Sequence, residues 1–247
     1  MQKEQYVCTV CGFNMVGYYP DFCPFCGAPH EKFITSEECS IKYRVECTPV
    51  NDKVTRLNSV PPLGFEHAAY RIETGGKVFW VDSPSCFDTS LKPADAIMFT
   101  HHHFLGASNQ YRSLFNAPVL IHKLDSVHTI CRDFTFDVTF TENFVEQGIE
   151  AFHIGGHTPG FTFYLFDDVL FICDYIFLTE EGMRFNPFGP QKETREYAAK
   201  IDGILQGREL NKVCGWNYVV DYKDWKEKFV RLLQKGEIIR NDLNSRP

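Results

Sequence analysis

Apolar and polar residues alternate along several short runs in the first part of the chain. The clearest runs lie at 42–50, 53–60 and 67–84, and in the last of these Gly75 and Gly76 separate two alternating halves. Alternation with a period of two predicts half-buried β-strands, and a glycine pair between two such strands predicts a hairpin. This part of the chain is therefore predicted to be β-structure.

Short apolar runs and helical repeats follow further along the chain. We predict strands at five apolar segments, 96–100, 117–121, 148–153, 161–166 and 169–173. Apolar residues recur at helical spacing in 194–205 and in 224–233. In the second of these segments Asp224 is the predicted N-cap, and Glu227 completes a capping box. Strands that alternate with helices predict an α/β or α+β sandwich.

Composition narrows the class of protein. The 247 residues are 44% hydrophobic and include 23 phenylalanines, which is typical of a globular chain. The net charge of −7 argues against a nucleic-acid partner, because nucleic acids bind concentrated basic surfaces. No apolar run has the length of a membrane span, and the N-terminus has no apolar signal region. We therefore expect a cytoplasmic protein with no membrane partner.

Two cysteine pairs near the N-terminus form the strongest local motif. Each pair has the form Cys-x-x-Cys-Gly, and the pairs are Cys8 with Cys11 and Cys23 with Cys26. Two such turns that face each other make a tetrahedral sulfur site for one metal ion, which suits iron or zinc. The other six cysteines have no disulfide-type spacing and are predicted to be buried free thiols: Cys39, Cys47, Cys86, Cys131, Cys173 and Cys214.

The segment from Tyr6 to Phe33 resembles the short rubredoxin-like module of rubrerythrins. It shares both cysteine turns, the Cys-Pro-x-Cys-Gly-Ala form of the second, a short spacer and a Glu-Lys-Phe ending. The resemblance implies one iron ion that passes single electrons, while the residues alone leave a structural zinc ribbon open. We predict a metal domain at 1–35, because so short a segment needs a metal to fold. A polar linker at 34–40 and a larger domain at 41–247 follow.

Candidate ligands of a second site lie where predicted strands end. Three consecutive histidines follow the strand at 96–100, and the alternation of side chains points His101 and His103 the same way. Adjacent imidazoles are good metal ligands. His157 stands in a turn bounded by glycines, and Asp174 follows the strand at 169–173.

In this order, and with Asp82 at an earlier strand end, the motifs resemble the metallo-β-lactamase fold family over roughly residues 41–235. The resemblance implies a four-layer αββα sandwich with metal at one edge of its two sheets. It implies that His101, His103 and His157 bind a first metal. Asp174 stands where the family has a residue that bridges two metals, and here it is expected to complete the first site. Asp82 is predicted to hold the histidine turn in place instead of binding metal.

The departures from that family concern its second metal. Leu105 and Gly106 stand where the family's histidine turn has its last two ligands, and Trp216 stands where it has a late histidine. We therefore predict either a single ion of Fe, Zn or Mn or a retired site that holds no metal. Two histidines and one carboxylate are the usual ligands of non-haem Fe(II), and three residues here can form that set: His101, His157 and Asp174.

Three functions are consistent with these motifs. The first is a redox protein that couples the iron centre to the mononuclear site and reduces O₂, NO or peroxide, a pairing distantly similar to flavodiiron proteins and their rubredoxin donors. The second is a single-zinc hydrolase, and the third is a non-catalytic metal or redox sensor. The expected partners are a small-molecule substrate or an electron donor. The sequence leaves open whether the two centres meet within one chain or across a homodimer.

Overall fold

The computed structural model describes residues 3–244 of a chain that divides into two compact units, Met1–Thr141 and Glu142–Pro247. The first unit contains a three-stranded and a seven-stranded sheet, and the second contains a six-stranded sheet and a two-stranded hairpin. This division lies far from residue 35. The boundary between a metal domain at 1–35 and a larger domain at 41–247 therefore stays a prediction.

The strands and helices of the first unit bring several motifs to one sheet edge. The small sheet has the order β2-β1-β3 and consists of β1 (Gln5–Cys8), β2 (Asn14–Val16) and β3 (Phe33–Thr35). The large sheet has the order β10-β9-β8-β7-β6-β5-β4 and consists of β4 (Arg44–Pro49), β5 (Val54–Val60), β6 (Ala69–Thr74), β7 (Lys77–Val81), β8 (Ala96–Met98), β9 (Val119–His122) and β10 (Val138–Phe140). The helices are α1 (Ser36–Lys42), α2 (Ser108–Phe115) and α3 (Lys123–Ser126). Because β7, β8 and β9 run parallel, their carboxyl ends meet at one edge, where Asp82 and His101 follow.

The predicted glycine hairpin is confirmed. β6 and β7 pair in antiparallel register with Thr74 opposite Lys77, so Gly75 and Gly76 alone form the turn. Their φ angles are 58° and 75°. A two-residue turn with positive φ at both positions matches the right-handed twist of the strands that it joins, and glycine adopts it without steric cost.

The polar linker predicted at 34–40 is wrong. Residues 33–35 complete a strand of the small sheet, and α1 follows at once. Thr35 accepts a hydrogen bond from the backbone N–H of Glu38, and the Glu38 carboxylate accepts one from the backbone N–H of Thr35. This capping box satisfies two donors at the helix start. Only Ser36 and Cys39 of the helix are buried, which explains its polar sequence.

The small sheet shares an apolar core with the large sheet of its unit. Val7 and Val16 belong to the same buried cluster as Trp80, Ile97 and Leu105. Apolar area that is removed from water stabilises by roughly 25 cal/mol per Å², so the two sheets stabilise each other. The N-terminal segment is therefore an integral part of the first unit.

The second unit also brings two strand ends together. Its sheet has the order β11-β12-β13-β14-β17-β18 and consists of β11 (Phe144–Glu146), β12 (Ile149–His153), β13 (Thr162–Phe166), β14 (Val169–Cys173), β17 (Lys212–Gly215) and β18 (Val219–Asp221). A hairpin and two helices complete it: β15 (Ile176–Thr179), β16 (Gly182–Phe185), α4 (Gln191–Leu205) and α5 (Tyr222–Asn244). β14 and β17 are parallel, so Asp174 and Trp216 follow them at one edge.

Two details of the helices and cysteines differ from expectation. α5 begins at Tyr222, which places Asp224 inside the first turn, so the predicted N-cap is wrong. An acidic residue there still complements the positive end of the helix dipole. Five of the six remaining cysteines are buried free thiols as predicted, whereas Cys47 is exposed on the edge strand β4. No helix in the described residues is both long and apolar enough to cross a membrane.

Candidate metal centres

The two cysteine turns repeat one backbone geometry. In the first, the N–H of Gly12 donates to the carbonyl of Cys8 at 2.8 Å, and in the second the N–H of Gly27 donates to the carbonyl of Cys23 at 2.9 Å. Both glycines have positive φ, 80° and 74°. Glycine adopts this conformation freely, which is why it follows each pair.

The four sulfurs lie at the corners of a cage that has the size of a metal site. The Sγ atoms of Cys8 and Cys26 are 3.7 Å apart, as are those of Cys11 and Cys23. A tetrahedral site with metal–sulfur bonds of about 2.3 Å has edges of about 3.8 Å, so the cage fits one ion. All ten cysteines are free thiols. Hydrogen bonds from Cys11 and Cys23 lower the pKa of Cys8, because they stabilise its thiolate.

The histidine turn of the first unit is fixed by a buried hydrogen-bond chain. The carboxylate of Asp82 accepts from the backbone N–H of Thr100 at 2.9 Å and from its hydroxyl at 2.9 and 3.0 Å. The Thr100 hydroxyl oxygen lies 3.0 Å from Nδ1 of His101. Because the hydroxyl proton goes to Asp82, Nδ1–H of His101 donates to Thr100, and Nε2 carries the lone pair that a metal needs. Asp82 thus holds the turn, as predicted.

The other two histidines of the turn lie in different surroundings. His103 is half-buried, with its ring centre 4.7 Å from that of His101. His102 is buried, lies 3.2 Å from the Asp125 carboxylate through Nδ1, and stacks on His128 at 4.0 Å. Burial lowers the pKa of His128, since desolvation disfavours the charged imidazolium. His102 therefore packs in the interior of the fold, as expected.

His157 and Asp174 meet in the second unit. Nε2 of His157 lies 3.4 Å from a carboxylate oxygen of Asp174, and both residues are buried. Two donor atoms that each lie about 2.1 Å from one ion at a tetrahedral angle are about 3.4 Å apart, so this pair fits a shared ion. The amide of Asn186 donates to the same carboxylate oxygen at 2.8 Å, which fixes its position.

Left-handed backbone marks the strand end at each acid. Asp82 follows β7 with a φ of 61°, and Cys173, just before Asp174, has a φ of 46°. Such conformations cost a residue with a side chain roughly 1–3 kcal/mol, and they concentrate at functional sites.

The positions of the missing second-metal ligands are used for packing. Leu105 is buried in the apolar core of the first unit. Gly106 has a φ of 52°, and a Cβ there would lie 2.4 Å from the carbonyl oxygens of Ser83 and Pro84. No side chain fits at that position. In the second unit, Trp216 packs against Phe177 with ring centres 5.2 Å apart.

The structure places the predicted ligands in three groups. The four cysteines form one cage, His101 and His103 lie together in the first unit, and His157 and Asp174 meet in the second. That the two histidine groups share one ion stays a prediction.

Two residues near these groups have no sequence motif. His67 is buried, with its ring centre 5.8 Å from that of His101, and Asn186 holds Asp174. His67 follows a Gly-Phe-Glu segment and Asn186 precedes a proline, so nothing in the spacing marks either one.

The N-terminal segment matches a known family. Residues 6–34 match the family described as the rubredoxin-like domain of rubrerythrin. This segment is a rubredoxin-like domain. Its four cysteines are the residues that form the sulfur cage, and the shared family suggests iron as the metal of that cage. No curated protein matches the chain in sequence.

Solved structures show the fold of the remaining chain. A metallo-β-lactamase from Pontibacter korlensis is similar with a TM-score of 0.63 and 16% identity, over 77% of this chain and 98% of that one. The TMB-1 structure has a TM-score of 0.60 and 14% identity, over 78% and 99%. TTHA1623, solved in a di-iron-bound form, has a TM-score of 0.51 and 21% identity, over 63% and 89%. The predicted metallo-β-lactamase fold is confirmed. The chain is a metal-binding protein that joins this fold to the rubredoxin-like domain.

Proposed function

We propose that this chain is a redox protein in which a rubredoxin-type iron centre supplies electrons to a mononuclear non-haem metal site. The substrate of that site is a small oxidant, O₂, NO or a peroxide. The observation that carries the proposal is the sulfur cage, in which two opposite edges of 3.7 Å fit a single ion held by four thiolates. When bound there, iron supplies a one-electron couple.

The residues of the second site support a metal with redox chemistry. Imidazole and carboxylate donors suit Fe(II), and a set of two histidines and one carboxylate leaves coordination positions open for a small molecule. The hydrogen-bond chain from Asp82 through Thr100 selects the tautomer of His101, and Asn186 orients Asp174. We infer that His101, His157 and Asp174 hold one ion, with His103 as a fourth ligand or close neighbour.

A single-zinc hydrolase is the alternative, because the same donors also suit zinc. One observation speaks against it. In the family's turn an aspartate takes the position of Leu105, and Leu105 is an apolar residue in the core that can neither hold nor deprotonate an attacking water. A carboxylate that positions water would have to come from elsewhere in the chain.

The test is anaerobic reduction of the iron-loaded protein, followed by rapid mixing with O₂, NO or hydrogen peroxide in separate experiments. The visible thiolate-to-iron absorption reports the oxidation of the sulfur cage. We expect fast reoxidation with at least one oxidant, and slow reoxidation when His101→Ala and His157→Ala are combined. His153→Ala is the control, because this histidine contacts the carbonyl of Pro159 and is not a predicted ligand. Equal rates in all three proteins would contradict the proposal and favour the hydrolase.

A further inference from the structure

We infer that electrons pass from the sulfur cage to the histidine turn within one chain, through the contact of Phe25 and Phe104. This inference rests on the proposed function and adds its route. The sequence left open whether the two centres meet within a chain or across a dimer. The contacts inside the first unit favour transfer within one chain, because both cysteine turns pack against segments next to His101 and His103.

The first cysteine turn is packed closely against loops of the large sheet. A Cβ at Gly64 would lie 2.1 Å from the carbonyl oxygen of Val10, which is inside the turn. A Cβ at Gly12 would lie 3.0 Å from the carbonyl oxygen of Leu63 and 3.1 Å from Oγ of Ser85. Backbone meets backbone here, with no room for an intervening side chain.

The buried side-chain amides of Gln5 and Asn14 also form hydrogen bonds across this contact. The side-chain amide of Asn14 donates to the carbonyls of Gly12 at 3.1 Å and Ser85 at 3.2 Å. Gln5 donates to the Asn14 side-chain oxygen at 2.6 Å and to the carbonyl of Gly106 at 3.4 Å. Both amides are buried, so breaking these bonds would leave polar groups unsatisfied at about 1–3 kcal/mol each. The rubredoxin-like domain is therefore fixed on the segment that follows the histidines.

Two phenylalanines fill the space between the cage and the histidine turn. Phe25 lies between Cys23 and Cys26 in the second cysteine turn, and its ring centre is 4.6 Å from that of Phe104. The ring of Phe25 is also 5.9 Å from that of His103. Phe104 belongs to the same apolar cluster as the cysteine sulfurs, although it follows His103 directly in sequence. One aromatic layer thus connects a cysteine turn to a candidate metal ligand.

The step that this layer serves is a single electron transfer. With iron bound at both places, the sulfur cage would lose one electron, Fe(II) to Fe(III), and the histidine turn would gain it, Fe(III) to Fe(II). No bond is formed or broken, and no proton is needed. The small oxidant of the proposed function would take this electron from the histidine turn, and a one-electron reductant outside the chain would return the sulfur cage to Fe(II).

The test compares three substitutions in the iron-loaded full-length chain. Phe25→Leu and Phe104→Leu remove the aromatic contact. Phe22→Leu is the matched control, because Phe22 lies in the same loop and its side chain is 63% exposed. Reoxidation of the reduced sulfur cage is followed as before, at several protein concentrations. In the wild type and in Phe22→Leu, we expect a rate constant that does not depend on protein concentration. In Phe25→Leu and Phe104→Leu, we expect this rate constant to fall several-fold.

A second measurement does not depend on turnover. The cage is loaded with Fe(III), and the histidine turn with paramagnetic Mn(II) or diamagnetic Zn(II). Electron paramagnetic resonance relaxation of the cage iron should be faster with Mn(II), and this difference should disappear in His101→Ala. Equal relaxation with both metals would overturn the inference.

The outcomes separate this inference from the proposed function. If the wild type reoxidises no faster than the double histidine variant, the proposed function fails. If the wild type reoxidises fast but with a rate that rises with protein concentration, electrons cross between chains and the inference alone fails. It also fails if Phe25→Leu and Phe104→Leu both behave like Phe22→Leu while their metal contents match the wild type.

Discussion

Thr100 can control a predicted metal ligand, His101, although it is not itself a predicted ligand. Its hydroxyl donates to Asp82 and accepts from His101, so it determines which ring nitrogen of His101 carries the proton. Groups in this position typically change metal affinity by 10- to 100-fold when they are removed, an effect on the order of 1–3 kcal/mol.

Thr100→Val is therefore expected to weaken metal binding at the histidine turn by about 10- to 100-fold. The substitution keeps the shape of the side chain and removes the hydroxyl. Thr162→Val is the control, since that buried hydroxyl donates to the carbonyl of Gly160 in the second unit. Both variants should lose about 1 kcal/mol of stability. Chelator competition measures the affinities, and equal affinities in the two variants would show that Thr100 does not orient His101.

Gly106 stands at the last ligand position of this turn, and its surroundings leave no room for a side chain. Its backbone is left-handed, and carbonyl oxygens of Ser83 and Pro84 occupy the place of a Cβ. Gly76 also has positive φ, 75°, but nothing lies within 4 Å of a Cβ there. Comparing substitutions at Gly106 and Gly76 therefore separates the cost of positive φ from the cost of the steric clash.

Gly106→Ala should lower the free energy of unfolding by more than Gly76→Ala, which carries only the conformational cost of about 1 kcal/mol. The clash adds a cost typical of overpacking, about 1–3 kcal/mol. Urea unfolding of the two variants gives the comparison. If the two lose the same stability, the backbone at Gly106 has room for a side chain and the loss of the ligand needs another explanation.

Some of these residues could be recognised from the sequence and others could not, for physical reasons. Leu105 and Gly106 could be recognised because they interrupt a motif whose other members are present. His67 and Asn186 could not, because each reaches its neighbour through loops whose path the spacing does not specify. Phe104 carries no motif of its own, and only the packing shows that it contacts a cysteine turn.

The two cysteine turns are nearly identical elements in unequal surroundings. A Cβ at Gly12 of the first turn would contact backbone and side-chain atoms of the loops at residues 63–66 and 85. A Cβ at Gly27 of the second turn would have nothing within 4 Å. Their φ angles differ by only a few degrees, 80° and 74°. The local motif is therefore the same, and the difference comes from tertiary packing.

We expect Gly12→Ala to be more destabilising than Gly27→Ala and to loosen the contact between the rubredoxin-like domain and the large sheet. Both substitutions share the cost of positive φ, about 1 kcal/mol. Thermal unfolding measures the stability, and amide hydrogen exchange around Ser85 and Gly106 measures the contact. Slow exchange there in both variants, with equal melting temperatures, would contradict the close packing.

Strands were easier to predict than the first helix. Alternating runs or apolar runs predicted β4 to β9 and β12 to β14. A strand buried on one face shows alternation, and a strand buried on both faces shows a continuous apolar run. Helix α1 has seven residues and buries two, too few to display a helical period. Its capping box, Thr35 with Glu38, was the available signal, and the polar composition obscured it.

In the whole molecule, the main surprise is where the rubredoxin-like domain belongs. A polar linker would have left it a separate module. Val7 and Val16 instead complete the core that contains Trp80 and Leu105. α1 follows β3 at once, and Tyr43 alone separates it from β4. Sequence patterns specify strands and metal motifs, but they do not specify which apolar faces pack together.

The central claim is that iron in the sulfur cage and a redox metal at the histidine turn work as a pair. The measurement that tests it most directly is the iron and zinc content, with the visible spectrum, of the protein purified from iron-replete cells. We predict close to two irons per chain and the thiolate-to-iron absorption of a four-cysteine centre, with one iron lost in the combined His101→Ala and His157→Ala variant. Zinc at both sites, with no visible absorption, would contradict the account.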